Sequence, residues 1–544
     1  MRWPTLLLLG AMAAPAVAQD GGAPEYDIVI RHGRVLDGDG NPWIAADVAI
    51  DHGKFVRIGH VTGKGRREID AHGLYVSPGW IDVMDQSSEV LLKNGLAENK
   101  VREGVTSVIA GEGGTPVPAE KVADYFAQLQ RQGISVNFGC YFSEEQARTA
   151  VIGQDDRPPT AEELEKMKAI MATAMKNGAM GMTTALIYPP GSFAKTDELI
   201  AVAKVASEYG GIYASHIRGE GKEVVQAVDE LIQIAEQAHM PGEIFHLKVA
   251  YQPDWGKSMA EIGRHVEAAR ARGVEIAADL YVYTAGGTGL EATIPSWAFD
   301  GGMDKLKERL RDPAIRARLK NEQKTGSPGW WNIIEAAGGW SGITLVDAAN
   351  PANSKYEGKS MVEIAKQMGT DPADAAFDLV EAGQSRVLAV YHMMDEKDID
   401  TALQFPWTSI GSDSGAALVA GGPADLQHPR AYGNFPRVIA HFVRDEHVLT
   451  LPDAVRKMTG WPADRFRLQG RGSIRAGEWA DVTIFDYDTI KDLSTYEKPN
   501  VFPAGVEYVI VNGKIVVDKE THTGAKPGMI LYGPGYAGNA ASAQ

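Results

Sequence analysis

Four polar residues each follow a short hydrophobic run that has the composition of a β-strand. They are two histidines, His216 and His246, and two acids, Glu112 in Gly-Glu-Gly-Gly and Asp413 in Gly-Ser-Asp-Ser-Gly. Two imidazoles and a carboxylate suit a divalent cation such as Zn²⁺, which lowers the pKa of a bound water to about 7 in favourable sites. A carboxylate beside the ion can take a proton from that water and return it. The pattern therefore predicts metal-assisted hydrolysis.

Each of these residues, taken singly, also fits a purely structural role. A histidine at a strand end is commonly a hydrogen-bonded core residue, and an aspartate in a Gly-Ser-rich turn commonly caps that turn. Glu112 also fits a residue at the rim of a pocket with no ligand role. Their joint placement after strand-like runs is what favours a shared site.

Strand-like runs alternate with stretches of helical length through the middle of the chain. The predicted helices span residues 162–176, 197–209, 222–238 and 258–272. This alternation indicates parallel β/α units, and residues 78–466 have the length of a (β/α)₈ barrel with an insertion. The alternation breaks at about residues 297–345, which we interpret as an inserted helical cap that includes one solvated helix at 305–320. In such barrels catalytic side chains lie at the carboxyl ends of the strands, where the four residues above are expected.

Both ends of the chain are rich in short β-strands. The strand-like runs occupy residues 28–30, 47–50 and 55–58 near the start, and 481–485 and 506–511 near the end. Asn512-Gly513, between two such runs, is a strong signal for a two-residue β-hairpin. We therefore predict one small β-sandwich domain built from residues 19–77 and 467–532, followed by a loose tail at 533–544.

Charge and cysteine content exclude several classes of protein. The 544 residues include 54 Lys and Arg and 71 Asp and Glu, for a formal net charge of −17. A field of this sign repels phosphate backbones, so no nucleic-acid partner is expected. Cys140 is the single cysteine, which excludes an intramolecular disulfide and a Cys-rich zinc module.

The first residues have the pattern of a secretory signal peptide. Arg2 precedes an apolar run that begins at Leu6, and Ala16-Val17-Ala18 is a small-residue cleavage site. We therefore expect residues 1–18 to be removed and the mature chain to be periplasmic or secreted. A membrane anchor is the alternative for this leader, but the run is short for a bilayer, and no membrane span is expected in the mature chain.

Motifs spread over most of the chain point to one enzyme family. They are Tyr188-Pro189-Pro190, Tyr213 to Glu220, Ile244 to Lys248, His428 to Arg437, Ala454 to Gly460, Gly470-Arg471-Gly472, Ala480-Asp481-Val482 and Val511-Asn512-Gly513. Together they resemble the D-aminoacylase (N-acyl-D-amino-acid deacylase) branch of the amidohydrolase superfamily. The resemblance covers about residues 26 to 532, and the His-Pro-Arg-Ala-Tyr-Gly segment at 428–433 is its most specific part.

The resemblance implies a (β/α)₈ barrel with a small β-sandwich, zinc, and hydrolysis of an amide in a small substrate such as an N-acyl-D-amino acid. The metal ligands of the fifth and sixth strands fall on His216 and His246, and the general acid/base of the last strand falls on Asp413. Positions expected near the substrate are matched by Lys248, Arg430, Tyr188 and Tyr283. A cation suits a substrate carboxylate, although the arginine also fits a salt bridge and the tyrosines also fit core packing.

This chain departs from the family at two metal positions. The His-x-His pair after the first strand is replaced by Met84-Asp85-Gln86, and no His-x-His occurs elsewhere. The cysteine of the second strand is replaced by Gly113, next to Glu112. A thioether prefers soft metals, so we expect one metal position to be empty. The prediction is a site for one Zn²⁺ per chain held by Glu112, His216 and His246, with Asp413 as a further candidate ligand.

The missing ligands leave two other functions open. The barrel could keep its pocket as a binding protein that does not hydrolyse, or it could support another metal-assisted reaction such as elimination or lactone opening. Retention of His216, His246 and Asp413 favours the hydrolase, with Asp413 as general base and then general acid. The oligomeric state stays open.

Overall fold

The computed structural model describes residues 25–424, 426–536 and 538. The predicted signal peptide, residues 1–18, lies outside the described residues, as do residue 537 and residues 539–544 of the predicted tail. Within the described ranges, no helix combines the length and the apolar composition that a bilayer span needs.

Parallel strands at eight positions form a barrel in the middle of the chain. In chain order they are Trp80–Asp85, Val105–Ala110, Asn137–Cys140 with Phe142–Ser143, Gly181–Ala185, Ile212–His216, Gly242–Ile244, Ile276–Leu280 and Thr408–Ile410. The third position is split, because its first piece pairs with the second strand and its second piece with the fourth. A parallel bridge between Asp85 and Ser414 closes the ring. The predicted (β/α)₈ barrel is confirmed.

Helices of the barrel begin and end close to the predicted residues. The four predicted ones are Ala161–Lys176, Thr196–Glu208, Val224–Ala238 and Ser258–Ala271. The first of them starts at a capping box between Thr160 and Glu163, and it buries Met167, Met171 and Ala174 along one face. The other helices outside the insertion are Val90–Lys93, Glu98–Arg102, Val122–Gln132, Glu144–Ile152, Glu396–Gln404, Arg430–Arg437 with the π-helix Val438–Asp445, Leu451–Met458 and Gly460–Arg465.

Strands from both ends of the chain share one nine-stranded sheet. Its order is Thr521–His522, Lys514–Asp518, Val506–Val511, Val482–Phe485, Tyr75–Pro78, Tyr26–Val35, Ile44–Asp51 and Lys54–Gly59, with Gly65–Asp70 also paired to Tyr26–Val35. The predicted hairpin is confirmed, because Val511 pairs with Lys514 and Asn512 has a φ of 47°. The pairing of Tyr75–Pro78 with Val482–Phe485 joins the two ends of the chain just before the first barrel strand.

An insertion at residues 285–392 separates the seventh and eighth barrel strands. Its antiparallel strands are Ala285–Gly289, Ile343–Asp347 and Leu388–His392, and its helices are Met303–Leu310, Pro313–Thr325, Ile333–Ala336, Met361–Met368 and Pro372–Ala382. It extends beyond the predicted cap at 297–345, because its first strand reads Ala-Gly-Gly-Thr-Gly and carries no strand signal. The helix predicted at 305–320 is two helices, since Asp312 caps a new helix whose first residue is Pro313.

Candidate active site

A cavity of about 530 Å³ lies between the carboxyl ends of the barrel strands and the insertion. Its lining includes Gln86, Glu112, Tyr188, His216, Glu220, His246, Lys248, Tyr281, Asp413 and Arg430 from outside the insertion, and Thr288, Trp331, Asp347 and Arg386 from within it. The structure therefore brings Glu112, His216, His246 and Asp413, the four strand-end residues of the sequence analysis, into one cavity.

Three of these side chains form a group that can hold a metal ion. Glu112 Oε1 lies 3.0 Å from His216 Nδ1 and 3.3 Å from His246 Nε2. One ligand atom from each of the three residues lies within 4.8 Å of the other two. Ligand atoms around a tetrahedral zinc ion are roughly 3.3 Å apart, given bonds of about 2.0–2.1 Å. The donor set and its spacing therefore fit a single divalent cation such as zinc.

The electrostatics at this group call for a positive charge. Burial acts to raise the pKa of the Glu112 carboxyl, but hydrogen bonds to His216 and His246 outweigh burial and hold this pKa well below its usual range. Burial and Lys248 act to lower the pKa of His246, whereas Glu220 and Glu112 raise it, with a net rise to about 9. Both shifts have the same origin, because the acids stabilise a proton on the imidazole. The same negative charges would stabilise a divalent cation at this place.

Glu220 supports His246 from the side away from Glu112. Its Oε1 lies 3.1 Å from His246 Nδ1 and 2.5 Å from Lys248 Nζ, and its side chain is buried. A carboxylate in this place accepts the Nδ1 proton, so Nε2, on the Glu112 side, is the atom that can bind a metal ion once it has lost its own proton. Sequence reasoning gave Glu220 no role, although it stands in a Gly-Glu-Gly turn just after the fifth strand, as Glu112 does after the second.

We expect Glu220→Gln to weaken zinc binding about 10- to 100-fold, because partners that orient a ligating histidine contribute this much to metal affinity. The measurement is the zinc Kd by competition with a chromophoric chelator. Glu223→Gln, at an exposed glutamate three residues further along, is the matched control. An unchanged Kd in a folded Glu220→Gln variant would mean that Glu220 serves only as the counter-ion of Lys248.

The chain around His246 is a turn rather than an extended strand. The sixth barrel strand ends at Ile244, and His246 has a φ of 36°, with its N–H donating to Asp279 Oδ1 at 2.8 Å. This turn brings Lys248 Nζ to 2.7 Å from His246 Nδ1, where both groups face Glu220.

Asp413 lines the same cavity, next to the place of the missing histidine pair. Its N–H donates to the carbonyl of Met84 at 2.8 Å, and its φ is 48°. Gln86 Nε2 lies 2.7 Å from Glu112 Oε2 and 3.4 Å from Asp413 Oδ1, so one amide group bridges the two acids. Among the described residues Asp413 does not join the group of Glu112, His216 and His246. The geometry therefore does not support Asp413 as a fourth ligand.

Arg430 and Lys248, both predicted near the substrate, line the cavity but already have carboxylate partners. Arg430 Nη1 lies 2.8 Å from Asp413 Oδ2, and the guanidinium lies 4.5 Å from the ring centre of Tyr281. Both cations are buried, at 2% exposure for Arg430 and 4% for Lys248. Their ion pairs hold the acids of the cavity in fixed positions.

The two predicted tyrosines have different surroundings. Tyr188 lines the cavity, with its ring centre 5.2 Å from that of His216 and its hydroxyl 2.6 Å from Thr288 Oγ1. Tyr283 does not line the cavity. Its hydroxyl donates to Asp492 at 3.1 Å instead. The seventh strand ends at Leu280 and the chain then bends over residues 282–284, so Tyr281 takes the place expected for Tyr283.

Comparisons with known proteins agree with this arrangement. A family model described as "Amidohydrolase family" matches residues 398–517. The D-aminoacylase of Alcaligenes xylosoxydans xylosoxydans is 32% identical over 529 residues, which cover 93% of this chain and 97% of that protein. A solved D-aminoacylase structure with a binuclear metal centre is 30% identical and superposes with a TM-score of 0.78, covering 93% of this chain and 100% of that one.

A second solved structure is that of an N-acyl-D-glutamate deacylase from Bordetella bronchiseptica in complex with zinc and a phosphonate mimic of the tetrahedral intermediate. It is 28% identical and has a TM-score of 0.77, covering 93% of this chain and 99% of that one. Identity and coverage of this extent settle the family. The chain therefore belongs to the D-aminoacylase branch of the amidohydrolase superfamily and is a metal-dependent hydrolase that acts on amide bonds.

Proposed function

We propose that this protein removes the acyl group from N-acyl-D-amino acids and works with one zinc ion per chain. The observation that carries the proposal is the convergence of Glu112, His216 and His246 in one cavity that Asp413 also lines. A single ion is supported by Met84 and Gln86, which replace the histidine pair. The D-aminoacylase with a binuclear centre, which is described as activated by one metal and attenuated by the second, gives a precedent for one-ion catalysis.

The residues of the cavity can carry the proton transfers of amide hydrolysis. A zinc ion held by Glu112, His216 and His246 would supply Lewis-acid activation of the carbonyl and a water of lowered pKa. Asp413 takes the proton of the attacking water at Oδ1, while Arg430 holds Oδ2. The water oxygen bonds to the carbonyl carbon, the C–N bond breaks, and Asp413 returns the proton to the leaving nitrogen. The remaining hydroxyl proton passes to the released amine, so the products are a carboxylate and a D-amino acid with a protonated amino group.

Arg430 and Lys248 stay our candidates for binding the α-carboxylate of the substrate. Both cations line the cavity, and a guanidinium can bind a carboxylate through two parallel N–H groups. This arrangement would place the α-carboxylate next to the proton donor. It fits a substrate whose carboxylate lies one carbon from the scissile nitrogen.

Metal removal tests the proposal directly. Purified protein is expected to contain about one zinc per chain, and dialysis against a chelator is expected to abolish hydrolysis of N-acetyl-D-leucine, with recovery when zinc is restored. The measurements are elemental analysis and an amine-release assay, with N-acetyl-L-leucine as the stereochemical control. Full activity after complete zinc removal would exclude this mechanism, and hydrolysis of the L substrate alone would exclude a D-amino-acid deacylase.

A further inference from the structure

Gln86 stands in the place of a family histidine and links the two acids of the cavity. Its Nε2 lies 2.7 Å from Glu112 Oε2 and 3.4 Å from Asp413 Oδ1. A side-chain NH₂ group has two N–H donors, so Gln86 can donate one to each carboxylate. Met84, the other residue in place of the histidine pair, packs in a buried hydrophobic cluster and does not line the cavity. Of the two replacements, only Gln86 therefore acts on the acids through its side chain.

The other oxygen of each acid has a different partner. Glu112 Oε1 contacts the two histidines of the metal group, and Asp413 Oδ2 pairs with Arg430 at 2.8 Å. The Gln86 amide contacts the oxygens that remain, Glu112 Oε2 and Asp413 Oδ1. Carboxylate oxygens that converge on one point are also ligands for a divalent cation. The amide thus occupies the place at which a second ion would bridge these two acids.

The backbone holds Gln86 in this position. Its own N–H donates to the carbonyl of Ser414 at 3.3 Å, and the carbonyl of Met84 accepts the N–H of Asp413 at 2.8 Å. The end of the first barrel strand is therefore bonded directly to the turn that carries Asp413. Asp413 has a φ of 48°, in the left-handed region, so this turn has a defined and uncommon backbone conformation. The fold itself thus brings the amide to the acid/base group.

We propose that Gln86 is a positioning residue that replaces a second metal ion: its amide holds Glu112 and Asp413 in place, and it limits the site to one zinc ion. The inference deepens the proposed function and rests on it. An amide N–H donates hydrogen bonds but is not a metal ligand, and it adds no charge. Glu112 therefore keeps its negative charge for an ion at the two histidines, and Asp413 keeps its own for the proton that it carries.

The number of zinc ions per chain tests whether the amide replaces an ion. The unaltered protein is expected to bind about one zinc even in large excess, and Gln86→Glu about two, because a third carboxylate beside Glu112 and Asp413 completes a set of oxygen ligands. The measurement is calorimetric titration of the metal-free protein with zinc, checked by elemental analysis. Gln154→Glu is the matched control and is expected to bind about one zinc, because Gln154 is a partly exposed glutamine that contacts Thr149 away from the cavity.

Gln86→Leu tests whether the amide positions the two acids. Leucine donates no hydrogen bond, so Glu112 Oε2 and Asp413 Oδ1 lose their common partner. The zinc Kd is expected to rise about 10-fold, because a partner that orients a ligand contributes to metal affinity. For N-acetyl-D-leucine, kcat is expected to fall roughly 10- to 100-fold while KM stays within about threefold, because the acid/base group is misplaced and substrate binding is not. Gln154→Leu is expected to change none of these values, and circular dichroism shows whether each variant is folded.

Each result supports or overturns a particular proposal. Two zinc ions in the unaltered protein would overturn the inference and the single-ion part of the proposed function, whereas the deacylase activity would stand. One zinc ion in Gln86→Glu would overturn the inference alone. An unchanged zinc Kd and kcat in folded Gln86→Leu would also overturn it, because the amide would then only fill space. If the zinc counts and the zinc Kd are as expected but the unaltered protein releases no amine from N-acetyl-D-leucine, the role of Gln86 at the metal site stands and the deacylase function is refuted.

Discussion

Asp413→Asn is expected to lower kcat by about 10²- to 10⁴-fold while the zinc content stays unchanged, because an amide cannot take and return the proton that general acid–base catalysis requires. Asparagine keeps the size of the side chain and can still contact Gln86. The zinc content is expected to persist because, in the described part of the chain, Asp413 lies outside the group of Glu112, His216 and His246. Steady-state kinetics with N-acetyl-D-leucine and elemental analysis of the same sample check both halves.

Asp445→Asn gives the matched control for this change, since Asp445 is a half-exposed aspartate that pairs with Arg444 away from the cavity. Its kcat is expected to equal that of the unaltered enzyme. If Asp413→Asn keeps full activity, another group supplies the base. If it loses zinc, Asp413 is a ligand and the site has four protein donors.

Glu112→Gln is expected to lower zinc occupancy several-fold, and activity with it. The change removes the carboxylate that lies between the two imidazoles, and a neutral amide is a poor zinc ligand. The change also removes the negative charge of Glu112. In the unaltered protein, the interaction of this charge with His216 and His246 keeps the pKa of the Glu112 carboxyl low. Zinc occupancy after dialysis against a limiting zinc buffer is the measurement, with circular dichroism to show that the variant is folded.

Glu120→Gln serves as the control, because Glu120 is an exposed glutamate eight residues further along the same connection. Its zinc occupancy is expected to match that of the unaltered protein. Undiminished occupancy in Glu112→Gln would make Glu112 a rim residue and would remove the explanation offered for the loss of the family's cysteine.

The barrel could be predicted from the sequence because its signals are local. Strand-like runs and helical stretches alternate over short distances, and the helix at Ala161–Lys176 carries its own start signal in Thr160 and Glu163. The four strand-end residues follow from the same logic, because parallel strands in a barrel present their carboxyl ends on one side. Knowing the strands was therefore enough to expect that Glu112, His216, His246 and Asp413 meet.

The remaining features of the cavity depend on geometry that the sequence does not carry. Glu220 acquires its role from the turn at His246, which no periodicity reveals. Tyr283 was expected near the substrate from the family resemblance, but the bend after Leu280 turns it toward Asp492. Arg386 reaches the cavity through an antiparallel sheet whose Gly-rich first strand looks like a loop. Gln86 was recognised as a loss, whereas the structure shows its amide between two acids.

The bridge between Asp85 and Ser414, together with the hydrogen bond from Asp413 to Met84, ties the last barrel strand to the first. During synthesis on the ribosome, the segment that carries Glu112 emerges roughly 300 residues before the one that carries Asp413, so the first proposed zinc ligand is made long before the proposed acid/base group. The proposed site can therefore be complete only after the last barrel strand has been synthesised and has paired with the first.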